Sequence, residues 1–70
     1  MLSDHTYDLI AALADKSEAV IAFETYLEDA EEAGDQTCAN LWRTLKQREE
    51  EAIEMLRGEV ERHAKDGTLH

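Results

Sequence analysis

Residues 9–30 read LIAALADKSEAVIAFETYLEDA, and the apolar side chains in this stretch recur at alternating spacings of four and three. That spacing is typical of the core-facing stripe of an α-helix. The positions on the stripe are Leu9, Leu13, Lys16, Val20, Phe23, Leu27 and Ala30. Lys16 is the only charged residue among them, so the first predicted helix carries one cation in its apolar stripe.

A second stripe of the same kind follows a break at Gly34 and Asp35. Its positions are Cys38, Trp42, Leu45, Glu49, Ala52 and Leu56. Glu49 is the one charged interruption here, opposite in sign to Lys16. Glycine just past a helix end suits a left-handed C-terminal cap, and the aspartate beside it can cap the next helix. The sequence therefore predicts an all-α, antiparallel hairpin of two long helices joined by a very short turn.

We predict a single helical-hairpin domain over 1–70, because a chain of 70 residues is long enough for one small domain only. Its parts are a helix at 4–33, a turn at 34–36, a helix at 37–65 and a tail at 66–70. Two helices cannot surround a core between them, and a single cysteine excludes an internal disulfide. We therefore expect the chain to form a homodimer, an antiparallel four-helix bundle with two-fold symmetry, with higher homo-oligomers as the alternative.

The net charge of −10 disfavours nucleic acids and anionic membrane surfaces as partners. Residues 1–34 hold nine acidic side chains and only Lys16 as a base, whereas residues 35–70 hold eight acidic and six basic ones. The first helix should thus present a strongly negative outer face, which serves solubility or, alternatively, recruits a basic protein partner that the sequence does not identify. Without a signal-peptide pattern at the N-terminus, a cytoplasmic protein is the expectation.

Many of the helix-packing residues also match a known family without a gap. They are Asp8, Leu9, Ala12, Ala14, Ser17, Ala19, Phe23, Tyr26, Ala30, Glu31, Gly34, Trp42, Glu49, Glu50, Glu51, Ala52 and Leu56. Over this segment, 8–56, the chain resembles the helix-A to helix-B half of rubrerythrins and related ferritin-like proteins. The resemblance implies a half-bundle that would supply one glutamate from its first helix and a Glu-x-x-His pair from its second as metal ligands.

Carried onto this sequence, the ligand positions fall on Lys16 for the first-helix glutamate, Glu49 for the glutamate of the pair and Ala52 for the histidine. Two of the three ligands implied by the resemblance are therefore absent. A lysine in a ligand position can reach the retained glutamate and neutralise it, so we predict a structural ion pair between Lys16 and Glu49. The alternative is that Lys16 extends to solvent and pairs with no particular residue.

The resemblance thus indicates a family member that has lost its metal, with no cofactor. The alternative is a carboxylate site for iron or another divalent ion at the oligomer interface. Its weak candidate ligands are Glu49, Glu24 and Glu18, with Glu28, Glu50 and Glu54 nearby in sequence. No Glu-x-x-His sequence occurs in the chain, so solvated surface carboxylates are the simpler interpretation.

Evidence for an enzyme is weak, because the sequence has no nucleophile with an evident base and no glycine-rich phosphate loop. Glu59 and His63 are four residues apart, a spacing that predicts a local ion pair or, less simply, two ligands of a surface metal. Cys38 lies on the apolar stripe, where it can pack as a small residue or act as a reactive thiol near a helix N-terminus. The sequence predicts a non-enzymatic binding or structural module.

Overall fold

The computed structural model describes residues 4–65, and the predicted all-α hairpin is confirmed over this range. Helix α1 spans Asp4–Glu32, helix α2 spans Gln36–Lys65, and the described range contains no strand. Helix α1 ends one residue before the predicted boundary at 33, and α2 begins one residue before the predicted start at 37. The predicted tail at 66–70 lies outside the described residues.

The turn is made by one glycine and one aspartate. Gly34 has a φ of 74°, and its N–H donates to the carbonyl of Glu31, while the N–H of Asp35 donates to the carbonyl of Ala30, both at 3.0 Å. This pair of bonds is the Schellman arrangement, which satisfies carbonyls that the end of α1 would otherwise leave unpaired. Asp35 then caps the N-terminus of α2, because its Oδ1 accepts a hydrogen bond from the N–H of Cys38 at 3.0 Å.

The two helices form a single layer. The hairpin measures 50 × 17 × 12 Å, and its smallest dimension equals the diameter of one helix with its side chains, about 10–12 Å. Ala30 and Ala39 are the only apolar side chains buried within the described range, at 7% and 0% exposure. The larger side chains of both apolar stripes remain partly exposed, because no second layer covers them.

The interior of the hairpin consists of layers of facing side chains. Near the turn, the rings of Phe23 and Trp42 stack with centroids 5.6 Å apart, and Tyr26 lies 5.0 Å from Trp42. Positions on each stripe repeat every seven residues, the periodicity of left-handed helix pairs. Neither helix in the described range has the length and apolarity needed to cross a membrane.

Candidate functional site

A cation and a carboxylate face each other near the middle of the hairpin. Lys16 Nζ lies 3.2 Å from Glu49 Oε2, within hydrogen-bond distance. The two side chains are 39% and 24% exposed. Both come from the apolar stripes, and their neighbours on these stripes are apolar, so the pair is a polar layer within an otherwise apolar seam. The structure thus places together the two residues of the predicted ion pair.

The pair occupies the position where the ferritin-like resemblance implies metal ligands. A metal ion would need the carboxylate of Glu49 as a ligand, but the positive charge of Lys16 already lies beside it. Ala52 has a methyl group where the resemblance implies an imidazole. A divalent cation placed beside Nζ would meet electrostatic repulsion. The residues present therefore do not fit the implied metal.

The other carboxylates proposed as metal ligands are dispersed. Glu24 Oε1 lies 3.4 Å from Lys46 Nζ on α2, and Glu18 is exposed on α1. Of the remaining candidates, Glu54 pairs with Arg57 at 3.1 Å. Within residues 4–65, no group of three or more histidine, cysteine or acidic side chains is close enough to hold a metal ion.

A second polar layer, which we did not predict, lies near the open end of the hairpin. Thr6 Oγ1 and His63 Nδ1 are 3.0 Å apart, and the two residues are 0% and 3% exposed. The ring of His5 lies 5.0 Å from that of His63. The signal was in the sequence, since Thr6 precedes Leu9 by three positions and His63 follows Leu56 by seven, so both continue the apolar stripes.

The spacing of Glu59 and His63 led to a different prediction, a local pair between them. In the structure, Glu59 Oε2 lies 2.8 Å from Arg62 Nη2, and the hydrogen bond and positive charge of Arg62 lower the pKa of Glu59, with smaller contributions from His63 and His5. His63 points into the hairpin toward Thr6, because position 63 lies on the core-facing stripe of α2. Position within the stripe thus determines the orientation of His63, and the four-residue spacing on the helix surface does not.

The two broad faces of the hairpin differ in composition. One face, here called the paired face, is spanned by ion pairs between the helices: Glu24 with Lys46 at 3.4 Å and Glu31 with Arg43 at 3.3 Å. The opposite face, here called the open face, includes Ala12 and Met55, which line one groove, and Tyr26 near the turn. The seven-residue spacing places Ala19 of α1 and Leu41 and Arg48 of α2 on the same face, which gives six positions in all.

The open face is mostly apolar and holds a shallow groove. The side chains that line this groove are Ala12, Lys16, Ala52, Met55, Leu56 and Glu59. Tyr26, Leu41 and Met55 are 44%, 50% and 76% exposed on this face. Toward the turn, Cys38 lies in a smaller hollow with Tyr26 and Trp42, and it is partly exposed there. An apolar surface of this extent on a single-layer hairpin is typical of an interaction site.

Comparison of the chain with protein-family models, with curated proteins and with solved structures found no match. Function is therefore inferred from the contacts and surfaces described above.

Proposed function

We propose that this chain is a non-enzymatic, ferritin-like hairpin that has lost its metal site and acts as an oligomeric binding or structural module. Its working form is a homodimer, a four-helix bundle in which each hairpin covers the apolar face of the other. The observation that carries this proposal is the open face on a hairpin only 12 Å thick, with two apolar residues buried in the described range.

Energetics support a second layer. A domain of about 70 residues seldom gains more than roughly 3–5 kcal/mol from one hydrophobic core, even when that core is closed. Within residues 4–65, six large apolar side chains are at least about a third exposed: Tyr7, Ile10, Ile21, Tyr26, Leu41 and Met55. Fully burying a large apolar side chain contributes about 1.5–3 kcal/mol, so covering the exposed parts of Tyr26, Leu41 and Met55 on the open face would add roughly 3–5 kcal/mol, about as much as the single hairpin gains.

The loss of metal is supported by the contact between Lys16 and Glu49. A lysine Nζ held 3.2 Å from the retained carboxylate supplies the positive charge that a metal would bring, without requiring further ligands. The dimer would then hold two such pairs in its interior in place of metal ions. The competing function is a divalent-metal protein that uses carboxylates at the dimer interface.

Metal content distinguishes these two functions. Untagged protein of known oligomeric state is analysed for bound metals and then titrated with ferrous iron without oxygen, and with manganese, by calorimetry. We expect a dimer with no stoichiometric metal and no binding heat. A defined fraction of a metal per chain would contradict the proposal and favour the interfacial carboxylate site.

A designed variant tests the link to the ferritin-like ligand pattern. Lys16→Glu with Ala52→His restores both absent ligands beside Glu49, and we expect this variant to bind ferrous iron or manganese. Lys16→Glu alone is the matched control, which lacks the imidazole and should bind more weakly. A double variant that remains dimeric and binds no metal would contradict the ancestry of the site while leaving the oligomeric module intact.

A further inference from the structure

The open face has a repeating pattern of side-chain size. On α1 the repeat runs from Ala12 through Ala19 to Tyr26, from small to large toward the turn. On α2 all three positions are long or bulky, with Met55 76% and Leu41 50% exposed. A second helix packed along α1 could therefore approach closely at Ala12 and Ala19, whereas the ring of Tyr26 would hold it further away near the turn.

The register between the helices determines which positions are level with each other. It is fixed by three contacts: Thr6 with His63, Lys16 with Glu49, and Phe23 with Trp42. At this register Ala12 lies level with Met55, a proximity that the shared groove also gives. Seven residues further along each helix toward the turn, the same register places Ala19 level with Arg48. Each small residue of α1 thus lies at the same height as a long side chain of α2.

This arrangement favours one of the two ways in which a second copy can stack on the open face. If the two-fold axis runs parallel to the helices, α1 of one copy faces α2 of the other, at the same heights. Met55 then packs over Ala12 of the second copy, the stem of Arg48 crosses Ala19, and Tyr26 meets Leu41. Large side chains are placed on small ones at two of three levels, which is how interdigitating helix layers fill space.

Charge favours the same arrangement. Residues 4–32 carry nine acidic side chains and one basic one, whereas residues 36–65 carry six of each. A two-fold axis perpendicular to the helices would place the two acidic α1 helices side by side, at a cost in like-charge repulsion. The parallel axis instead places each α1 beside the balanced α2 of the other copy. Arg48 then reaches the acidic helix close to Asp15 and Glu18.

We infer that the open face is the surface on which a second copy of this chain docks, with α1 facing α2 of that copy and both turns at the same end of the bundle. This inference rests on the proposed homodimer and specifies its geometry. Arg48 is its specificity-determining residue, because it is the one charged side chain among the six positions that define the open face.

The first test compares two charge reversals. Arg48→Glu alters the open face. Arg57→Glu makes the same change in net charge on α2, but Arg57 pairs with Glu54 on its own helix at 3.1 Å and lines a groove on the other side of the hairpin with Ser17 and Ile53. We expect Arg48→Glu to weaken dimerisation at least about tenfold in Kd, measured by sedimentation, and Arg57→Glu to change it less than about threefold. Equal effects of the two variants would overturn the docking surface.

The second test measures which ends lie together. Cys38→Ala removes the only cysteine, and Thr37→Cys then gives one exposed labelling site near the turn. Residue 37 lies about 13 residues, or about 20 Å, from the middle of α2, so turns at opposite ends would separate two spin labels by roughly 40 Å or more. Turns at the same end would give roughly 15–30 Å across a four-helix bundle. We expect the shorter distance by pulsed electron–electron double resonance.

A label at Gln47→Cys, near mid-length in the same Cys38→Ala background, is the matched control, because both arrangements give it similar distances. Circular dichroism and sedimentation confirm that each labelled variant is a folded dimer before the distances are compared. A monomeric wild-type chain would remove the proposed function and this inference together. A dimer with the longer distance would overturn the inference alone and leave the homodimer in place.

Discussion

Breaking the pair between Lys16 and Glu49 measures whether a second layer covers the middle of the hairpin. The perturbation is a double-mutant cycle of Lys16→Met, Glu49→Leu and the two changes together. Methionine keeps most of the lysine stem, and leucine replaces the glutamate carboxylate with an apolar side chain of similar size, so the cycle isolates the charges. We expect each single variant to be destabilised and the double variant to unfold at close to the wild-type denaturant concentration.

The expected coupling energy follows from exposure. In one hairpin the pair is 39% and 24% exposed, and solvent-exposed pairs couple by about 0.2–1 kcal/mol. Removing one partner of a fully buried pair costs about 3–5 kcal/mol, because the remaining charge has no compensation. In the proposed dimer, a second copy docked on the open face would cover much of the exposed part. We therefore expect a coupling energy of about 2–3 kcal/mol, between these limits.

The assay is urea unfolding followed by far-ultraviolet circular dichroism, with all variants at one protein concentration because unfolding of a dimer depends on concentration. The matched control is the cycle of Lys46→Met and Glu24→Leu on the paired face, where the two atoms are 3.4 Å apart and the side chains are 29% and 52% exposed. That cycle should give about 0.2–1 kcal/mol. A coupling energy for Lys16 and Glu49 no larger than that of the control would refute the covered pair.

The turn, the helix cap and one surface carboxylate give further predictions. Gly34→Ala should destabilise the hairpin by about 1 kcal/mol, since a φ of 74° is strained for a residue with a side chain. Gly58→Ala within α2 should stabilise it by about 0.5–1 kcal/mol, because alanine favours the helix and a Cβ added there meets no atom within 4 Å. Urea unfolding of both variants measures these changes. Asp35→Ala should lower stability by about 1 kcal/mol and Asp35→Asn by much less, and equal unfolding midpoints for the two would contradict the capping role. Because Arg62 lowers the pKa of Glu59 below its ordinary 4.5, the stability that this pair contributes is present above pH 4.5 and is lost as the pH falls through the lowered value. The difference in Tm between wild type and Glu59→Gln should therefore narrow below pH 4.5, and a difference that stays constant on acidification would contradict the pairing.

The fold was predictable because its signals are local. Spacings of four and three define both helices, and a glycine followed by an aspartate defines the turn, with no need to know the tertiary structure. The seam also indicated which residues face each other, and the structure places Lys16 Nζ and Glu49 Oε2 3.2 Å apart. A charged residue on a core-facing stripe is informative because, unlike a charged residue on the surface, it needs a partner of opposite charge nearby.

The layer of Thr6 and His63 was missed for a physical reason. Both residues are polar and lie near the ends of their helices, where side chains are usually solvated, so a pattern of apolar residues alone does not extend to them. The spacing of Glu59 and His63 suggested a surface pair between them, but the carboxylate of Glu59 forms its salt bridge with Arg62, three residues away. Which of two neighbouring cations binds a surface carboxylate depends on side-chain direction, and the periodic pattern does not encode that choice.

Dimerisation through the apolar face is the central claim, and sedimentation equilibrium of the untagged chain tests it most directly. The account predicts a mass twice that of the 7.9 kDa chain, without added metal and over a range of micromolar concentrations. A folded, helical species that sediments at 7.9 kDa over the same range would contradict it.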